Sequence, residues 1–273
     1  MSRRWPEHLW IVRHGQSAGN VARDAAAAAG LPVIDIAGRD MDVPLSALGE
    51  RQATALGAWF AAMPAEQRPT TVLTSTYLRA RQTADRIEAA GGLHPDACTD
   101  VDERLREKEF GVLDRLTRAG IEARFPDQAE ARTRIGKFYH RPPGGESWCD
   151  VILRLRSVLD TLSLHHSEPG SRVLVVAHQV IVLCMRYLIE GLTEEEILAI
   201  DRAGDVANCG VTEYALEEVD GPPGTRRTKL RLAAYNFVAP LEEAGAPVTA
   251  RPDVPAAPRR RRDAVPRRHD HAA

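Results

Sequence analysis

Short apolar runs alternate with longer amphipathic stretches along most of this chain. Leu9, Trp10, Ile11 and Val12 make the first run, and an alanine-rich stretch over residues 17–29 follows, ended by Gly30 and Pro32. In residues 46–63, Leu48, Leu56, Trp59, Phe60 and Met63 recur at a spacing that suits one helical face. Residues 71–74 are β-rich, residues 77–90 return to a helical pattern, and Gly91-Gly92 stops it. A long helix is predicted over residues 146–164. The run from Val173 to Ala177 lacks polar alternation, as in a strand covered on both faces. Helical patterns resume over residues 180–190 and after Thr193-Glu194-Glu195-Glu196, which reads as a capping box. Residues 211–216 and 230–235 read as two last strands joined through Gly221-Pro222-Pro223-Gly224. This order predicts an α/β protein, a three-layer α/β/α sandwich around a mostly parallel sheet.

Beyond residue 239 the pattern dissolves into Pro, Ala and Arg. The chain therefore divides into one domain over 1–239 and a tail over 240–273. With few large apolar residues the tail cannot offset its ordering entropy, and disorder is expected there. It holds seven arginines against five carboxylates, but no aromatic residue follows Phe237 to stack on bases. A solvated tail is thus preferred to a nucleic-acid arm. The whole chain has 273 residues, 44% of them hydrophobic, and a formal net charge of −2. That balance suits an ordinary globular protein and gives no reason to expect nucleic-acid or membrane binding.

No segment approaches the roughly 20 apolar residues of a membrane helix. The polar N-terminus and the short run after it do not form a signal-peptide core. Cys98, Cys149, Cys184 and Cys209 are scattered without a CxxC pair, which reads as reduced thiols in a cytoplasmic protein. Oligomeric state is left open.

Three of the predicted strands end in residues suited to phosphate: Arg13-His14-Gly15, Ser75 with Arg79 one turn into the next helix, and His178. Open α/β sheets bind ligands beyond the carboxyl ends of their strands, so the three are expected to converge. A helix follows each, and helix N-termini favour anions. A neutral imidazole is a competent nucleophile near pH 7. The transferring phosphoryl group needs fixed cationic donors, for which arginine's planar fork is well shaped. Gly15 permits close backbone approach.

Arg-His-Gly alone is a weak signal, but the longer string over residues 9–20 resembles the signature of the histidine phosphatase superfamily, the phosphoglycerate mutase-like fold. Similar segments recur in order. They are residues 44–53, residues 75–84 with Arg79 in the second-arginine position, residues 105–111, residues 143–147 and residues 175–178. The resemblance spans residues 8–216. It implies that His14 attacks phosphorus and becomes a phosphohistidine, with Arg13, Arg79 and His178 forming a positive pocket around the phosphoryl oxygens. Asn20 lies where the family binds phosphate through a polar residue. Glu107, four residues before Gly111, is the implied proton donor, with Glu109 and Glu103 as rivals that spacing does not exclude. The family resemblance implies no cofactor and no metal.

His178-Gln179 resembles the bisphosphatase and broad-phosphatase branches rather than the mutases, which also adds Gln179 to the expected substrate-binding set. A phosphatase acting on a small phosphorylated substrate is the implied activity; a phosphoglycerate mutase is the alternative, and a non-catalytic binding module a third. Arg81 is expected to face solvent, as are Arg106 and Arg141. Glu146 is expected to position a helix start, and His165-His166 to end one. Residues 21–43 and 112–142 are the expected specificity loops.

Overall fold

The computed structural model describes residues 4–220 and 226–250. Along the chain run β1 (His8–Arg13), α1 (Ala18–Ala28), α2 (Ala47–Ala61), β2 (Thr71–Ser75), α3 (Leu78–Ala89) and β3 (Cys98–Asp102). Next come α4 (Arg118–Arg124), α5 (Pro126–Ile135), α6 (Trp148–His165), β4 (Arg172–Ala177), α7 (Gln179–Glu190) and α8 (Glu194–Ala203). β5 (Val211–Asp220), β6 (Arg226–Phe237) and α9 (Ala239–Glu243) complete the described elements.

The strands form one six-stranded sheet in the order β3-β2-β4-β1-β5-β6. The β3-β2, β2-β4 and β4-β1 pairs are parallel; β5 and β6 add an antiparallel edge. Successive strand residues point to opposite faces, and this divides the core in two. Leu9, Ile11, Val173 and Val175 face α6 and α7 through Leu155, Leu159, Ile181 and Met185. Trp10, Val12, Leu174 and Val176 face α2 and α3 through Leu56, Phe60, Ala84 and Ile87. The result is the expected three-layer α/β/α sandwich. β1 and β4 are central and covered twice, which is why their sequences are continuous apolar runs.

Helix starts follow their caps. Ser17, Ser147 and Thr193 each close a capping box on α1, α6 and α8, and Ser46 caps α2. α6 ends at His165 with His166 as its C-cap, as the sequence suggests.

Three features differ from the sequence reading. β3 was not expected, because at the sheet edge four of its five residues are exposed and no apolar pattern marks it. The stretch over 112–142 contains α4 and α5, whose polar sequences carry almost no buried face; α5 is opened by Pro126 at its first turn. The domain does not end at residue 239. Pro240 and Leu241 are buried on α9, and Leu241 and Ala246 join the α2–α3 face of the core. Two buried apolar side chains and hydrogen bonds of Pro247 and Thr249 with Gln52 and Asn208 order residues 240–250, so the expected disorder is corrected there. Residues 251–273 and the Gly221-Pro222-Pro223-Gly224 link lie outside the described residues.

Candidate active site

β4 lies between β2 and β1, so their parallel carboxyl ends are neighbours. From them the chain runs directly into α1, α3 and α7. The convergence expected from sequence is therefore met: the His14 and His178 rings lie 5.1 Å apart at 65°, and Arg79 Nε donates to His14 Nε2 at 3.2 Å. His14 Nδ1 is 2.7 Å from the Gly15 carbonyl oxygen. A carbonyl only accepts, so Nδ1 carries the proton and Nε2 keeps its lone pair, turned toward Arg79. His178 Nε2 sits 2.8 Å from Ser75 Oγ. Arg13, His14 and His178 have no exposed surface, and Arg79 is 4% exposed.

Close backbone packing holds this loop. A Cβ on Gly15 would come 2.6 Å from the Gly49 carbonyl oxygen, and one on Gly49 would come 1.9 Å from that of Gln16. Only glycine fits at either place. The Gly15 N–H donates to Thr83 Oγ1, which itself donates to the Arg79 carbonyl, tying the His14 loop to α3.

A second support was not visible in the sequence. In the loop over residues 205–210, Val206 O accepts from Arg13 Nη1 at 2.5 Å, Asn208 Nδ2 donates to His14 O at 3.0 Å, and Cys209 N donates to Arg13 O at 2.9 Å. Cys209 is in the left-handed region at φ 54, as is Asn236 at φ 52. Asn236 accepts from Ala207 N and donates to Asp205 O, clamping the loop from β6. Strained backbone of this kind persists only where its surroundings over-determine it. Thr249 adds a strap: Oγ1 donates to Asn208 Oδ1 and accepts from Gln52 Nε2, whose Oε1 in turn accepts from Gln16 N. Gln179, expected to touch substrate, donates through Nε2 to Asp205 Oδ1 at 3.0 Å, and its Oε1 is buried without a hydrogen-bond partner among the described residues. There its amide has a carboxylate acceptor, a strong pairing.

A cavity that reaches Arg79, the partner of His14, is lined by Asn20, Arg79 and Glu107, together with Arg23, Asp40, Phe110, Asp114 and Arg115; neither histidine is among its lining residues. Asn20 completes the capping box of α1 through Ser17. Of the three candidate carboxylates, Glu107 alone lines this cavity and is buried, at 1% exposure. Glu103 and Glu109 are exposed. Glu107 Oε1 accepts from Lys108 N at 2.7 Å. Glu109 accepts from the Tyr77 hydroxyl and lines a second cavity of about 170 Å³ with Tyr77, Lys108 and Phe110. Tyr77, which the sequence pattern does not single out, lies inside the second-arginine motif. Its ring is 4.9 Å from that of His178, and the Arg79 guanidinium lies 4.8 Å from its centroid. Burial raises its phenol pKa, so it stays protonated.

Arg81 is exposed, as expected. Arg106 and Arg154 pair with Glu146, and Arg141 with Asp150. Glu146 thus anchors this corner while Ser147 supplies the cap. Among the described residues, no group of three or more His, Cys, Asp or Glu is placed to hold a metal ion. No helix among them is long and apolar enough to cross a membrane.

Lys108 is 5% exposed, its ammonium 4.7 Å from the Phe110 centroid. Burial, and then Arg132, push its pKa down to about 8. The unfolded chain therefore holds this proton more tightly than the folded one, so the charged lysine costs stability at neutral pH, and the cost fades between pH 8 and about 10.5. Lys108→Met is expected to stabilise the protein by about 1–3 kcal/mol at pH 7, with the gain shrinking toward pH 10. Thermal unfolding at the two pH values checks this, and an equal gain at both would refute it.

Residues 9–221 match the family model of the histidine phosphatase superfamily (branch 1), and the chain belongs to that superfamily. It is 32% identical over 181 residues to a 6-phosphofructo-2-kinase/fructose-2,6-bisphosphatase of Caenorhabditis elegans, covering 66% of this chain and 33% of that protein. It is also 32% identical over 212 residues to a probable phosphoglycerate mutase of Yersinia enterocolitica, covering 77% and 85%. The chain thus spans a third of the nematode protein, and 40% of a probable fructose-2,6-bisphosphatase of Schizosaccharomyces pombe. Among solved structures, a mycobacterial glucosyl-3-phosphoglycerate phosphatase complexed with VO3 superposes with a TM-score of 0.63 at 27% identity, covering 85% of this chain and 99% of that one.

Proposed function

We propose that the protein is a phosphomonoesterase that hydrolyses a small phosphorylated metabolite through a phosphohistidine on His14. The observation that carries this reading is the His14 Nε2 lone pair held 3.2 Å from Arg79 Nε, with His178 alongside and Glu107 in the adjoining cavity. In the first step Nε2 attacks phosphorus as the ester P–O bond breaks, and the departing oxygen takes a proton from the Glu107 carboxyl. Water then gives a proton back to the Glu107 carboxylate and attacks phosphorus. The P–N bond breaks, releasing inorganic phosphate and free imidazole. Arg13, Arg79 and His178 supply the positive field around the phosphoryl oxygens, Asn20 adds a polar contact, and the reaction needs no metal or cofactor. The four free thiols fit a reducing compartment, and a cytoplasmic location belongs to this proposal.

A mutase reading is favoured by relatives named as phosphoglycerate mutases, the Yersinia protein among them. A mutase keeps its phosphoryl group from water and returns it to a hydroxyl. A screen of sugar phosphates, phosphoglycerates, nucleotides and phosphopeptides, run with chelator, separates the readings. The expected result is free phosphate from at least one small metabolite at a rate that chelator leaves unchanged. Isomerised 3-phosphoglycerate without free phosphate would assign the mutase activity instead, and a rate abolished by chelator would refute a metal-free mechanism.

A further inference from the structure

Both terminal nitrogens of Arg79 are engaged by one residue. Nη1 donates to the Asp40 carbonyl at 2.7 Å and to Oδ1 at 3.2 Å, and Nη2 donates to Oδ2 at 3.0 Å. This fork is the part of arginine that matches two oxygens of a phosphoryl group. Asp40 begins a three-residue 3-10 turn, Asp40–Asp42, and lines both cavities described above.

Two roles for such a carboxylate can be distinguished by where it sits. A carboxylate that orients an arginine for its ligand sits behind it, buried. Asp40 is on the cavity side, and its side chain is 30% exposed against 5% for Arg79. Rotated away, it regains full hydration at little cost, whereas the guanidinium stays fixed between His14 and the Tyr77 ring. The fully buried His14 and His178 show that the pocket must open in any case to admit substrate.

We propose that Asp40 is an internal competitor for Arg79, which every phosphoryl ligand must displace. This rests on the reading of the pocket as a phosphoryl site. Displacement exchanges one ion pair for another: the Asp40 carboxylate leaves Nη1 and Nη2, the phosphoryl–Arg79 contact forms, and the freed carboxylate returns to water, while the Asp40 carbonyl keeps its hydrogen bond from Nη1. Substrate and inorganic phosphate bear the same cost, so Asp40 weakens both and lets product leave. Its action is on ground-state binding and falls on KM and on phosphate inhibition rather than on the chemical step.

The test uses the full-length protein with inorganic phosphate as the probe, titrated calorimetrically and as an inhibitor of p-nitrophenyl phosphate turnover. Asp40→Asn is expected to tighten phosphate binding roughly two- to fivefold, the scale of a partly exposed ion pair, and to lower KM by a similar factor with Tm unchanged. Asp40→Glu restores the weaker binding, and Asp40→Ser replaces the Asn variant if the turn is disturbed. Unchanged or weaker phosphate binding in the Asn and Ser variants overturns the proposal and makes Asp40 a support for Arg79. If neither wild type nor variants bind phosphate, the phosphoryl reading of the pocket fails, and this inference with it.

Discussion

Replacing His14 by alanine is expected to reduce turnover by roughly a thousandfold or more, the scale on which enzymes fail when a covalent nucleophile is removed. The structure leaves no substitute at that position. The His178 ring is 5.1 Å away with its Nε2 beside Ser75, and the nearer Arg79 has no lone pair to offer. Alanine also deprives the buried Arg79 Nε of an acceptor, which costs about 1–3 kcal/mol. Thermal unfolding must therefore accompany the assay, and a folded but inactive variant is the expected combination. Acid-labile phosphate on quenched wild-type protein, absent from the variant, identifies the intermediate. A folded His14→Ala protein retaining a tenth of wild-type turnover would rule out the covalent route.

Glu107→Gln is expected to lower kcat by about 10²–10⁴-fold on substrates with poor leaving groups, the usual contribution of a positioned acid or base. The size of the loss depends on the ester. An alkyl alcohol leaves only when protonated, whereas p-nitrophenolate departs unaided. With p-nitrophenyl phosphate the variant still forms the phosphoenzyme but lacks the group that activates water. The expected trace is a burst of nitrophenolate equal to the enzyme present, followed by slow turnover. Glu103→Gln and Glu109→Gln serve as controls, because both side chains are exposed and neither lines the cavity with Arg79. A larger loss in either control would move the acid role to that residue.

What could be read from sequence follows from how each feature is encoded. β1 and β4 were plain because burial on both faces demands unbroken apolar runs, and α8 announced itself through its capping box. β3 obtains its order from the backbone ladder with β2, which leaves no signature in the side chains. Residues 240–250 looked too polar to order, yet Leu241 and the Thr249 strap hold them in place. In the site, Arg13, His14, Arg79 and His178 were legible because local motifs at strand ends place them. Asp40, Asn208 and Asn236 were not. Their importance lies in what they touch across the fold, and an Asp or Asn in a polar stretch reads as an ordinary turn residue. The Asp205 contact of Gln179 was equally invisible, because its partner lies 26 residues further along the chain.

The placement of β4 between β1 and β2 also governs when chemistry first becomes possible as the chain is made. His14 is synthesised before His178, which arrives only after α6, and Asn208, which grips the His14 carbonyl, arrives later still. A nascent chain that has emerged only as far as β3 has His14 and Arg79 without the second imidazole or the backbone clamp. The proposed pocket is therefore completed only when β4 inserts between β1 and β2 and the loop over residues 205–210 closes on β1.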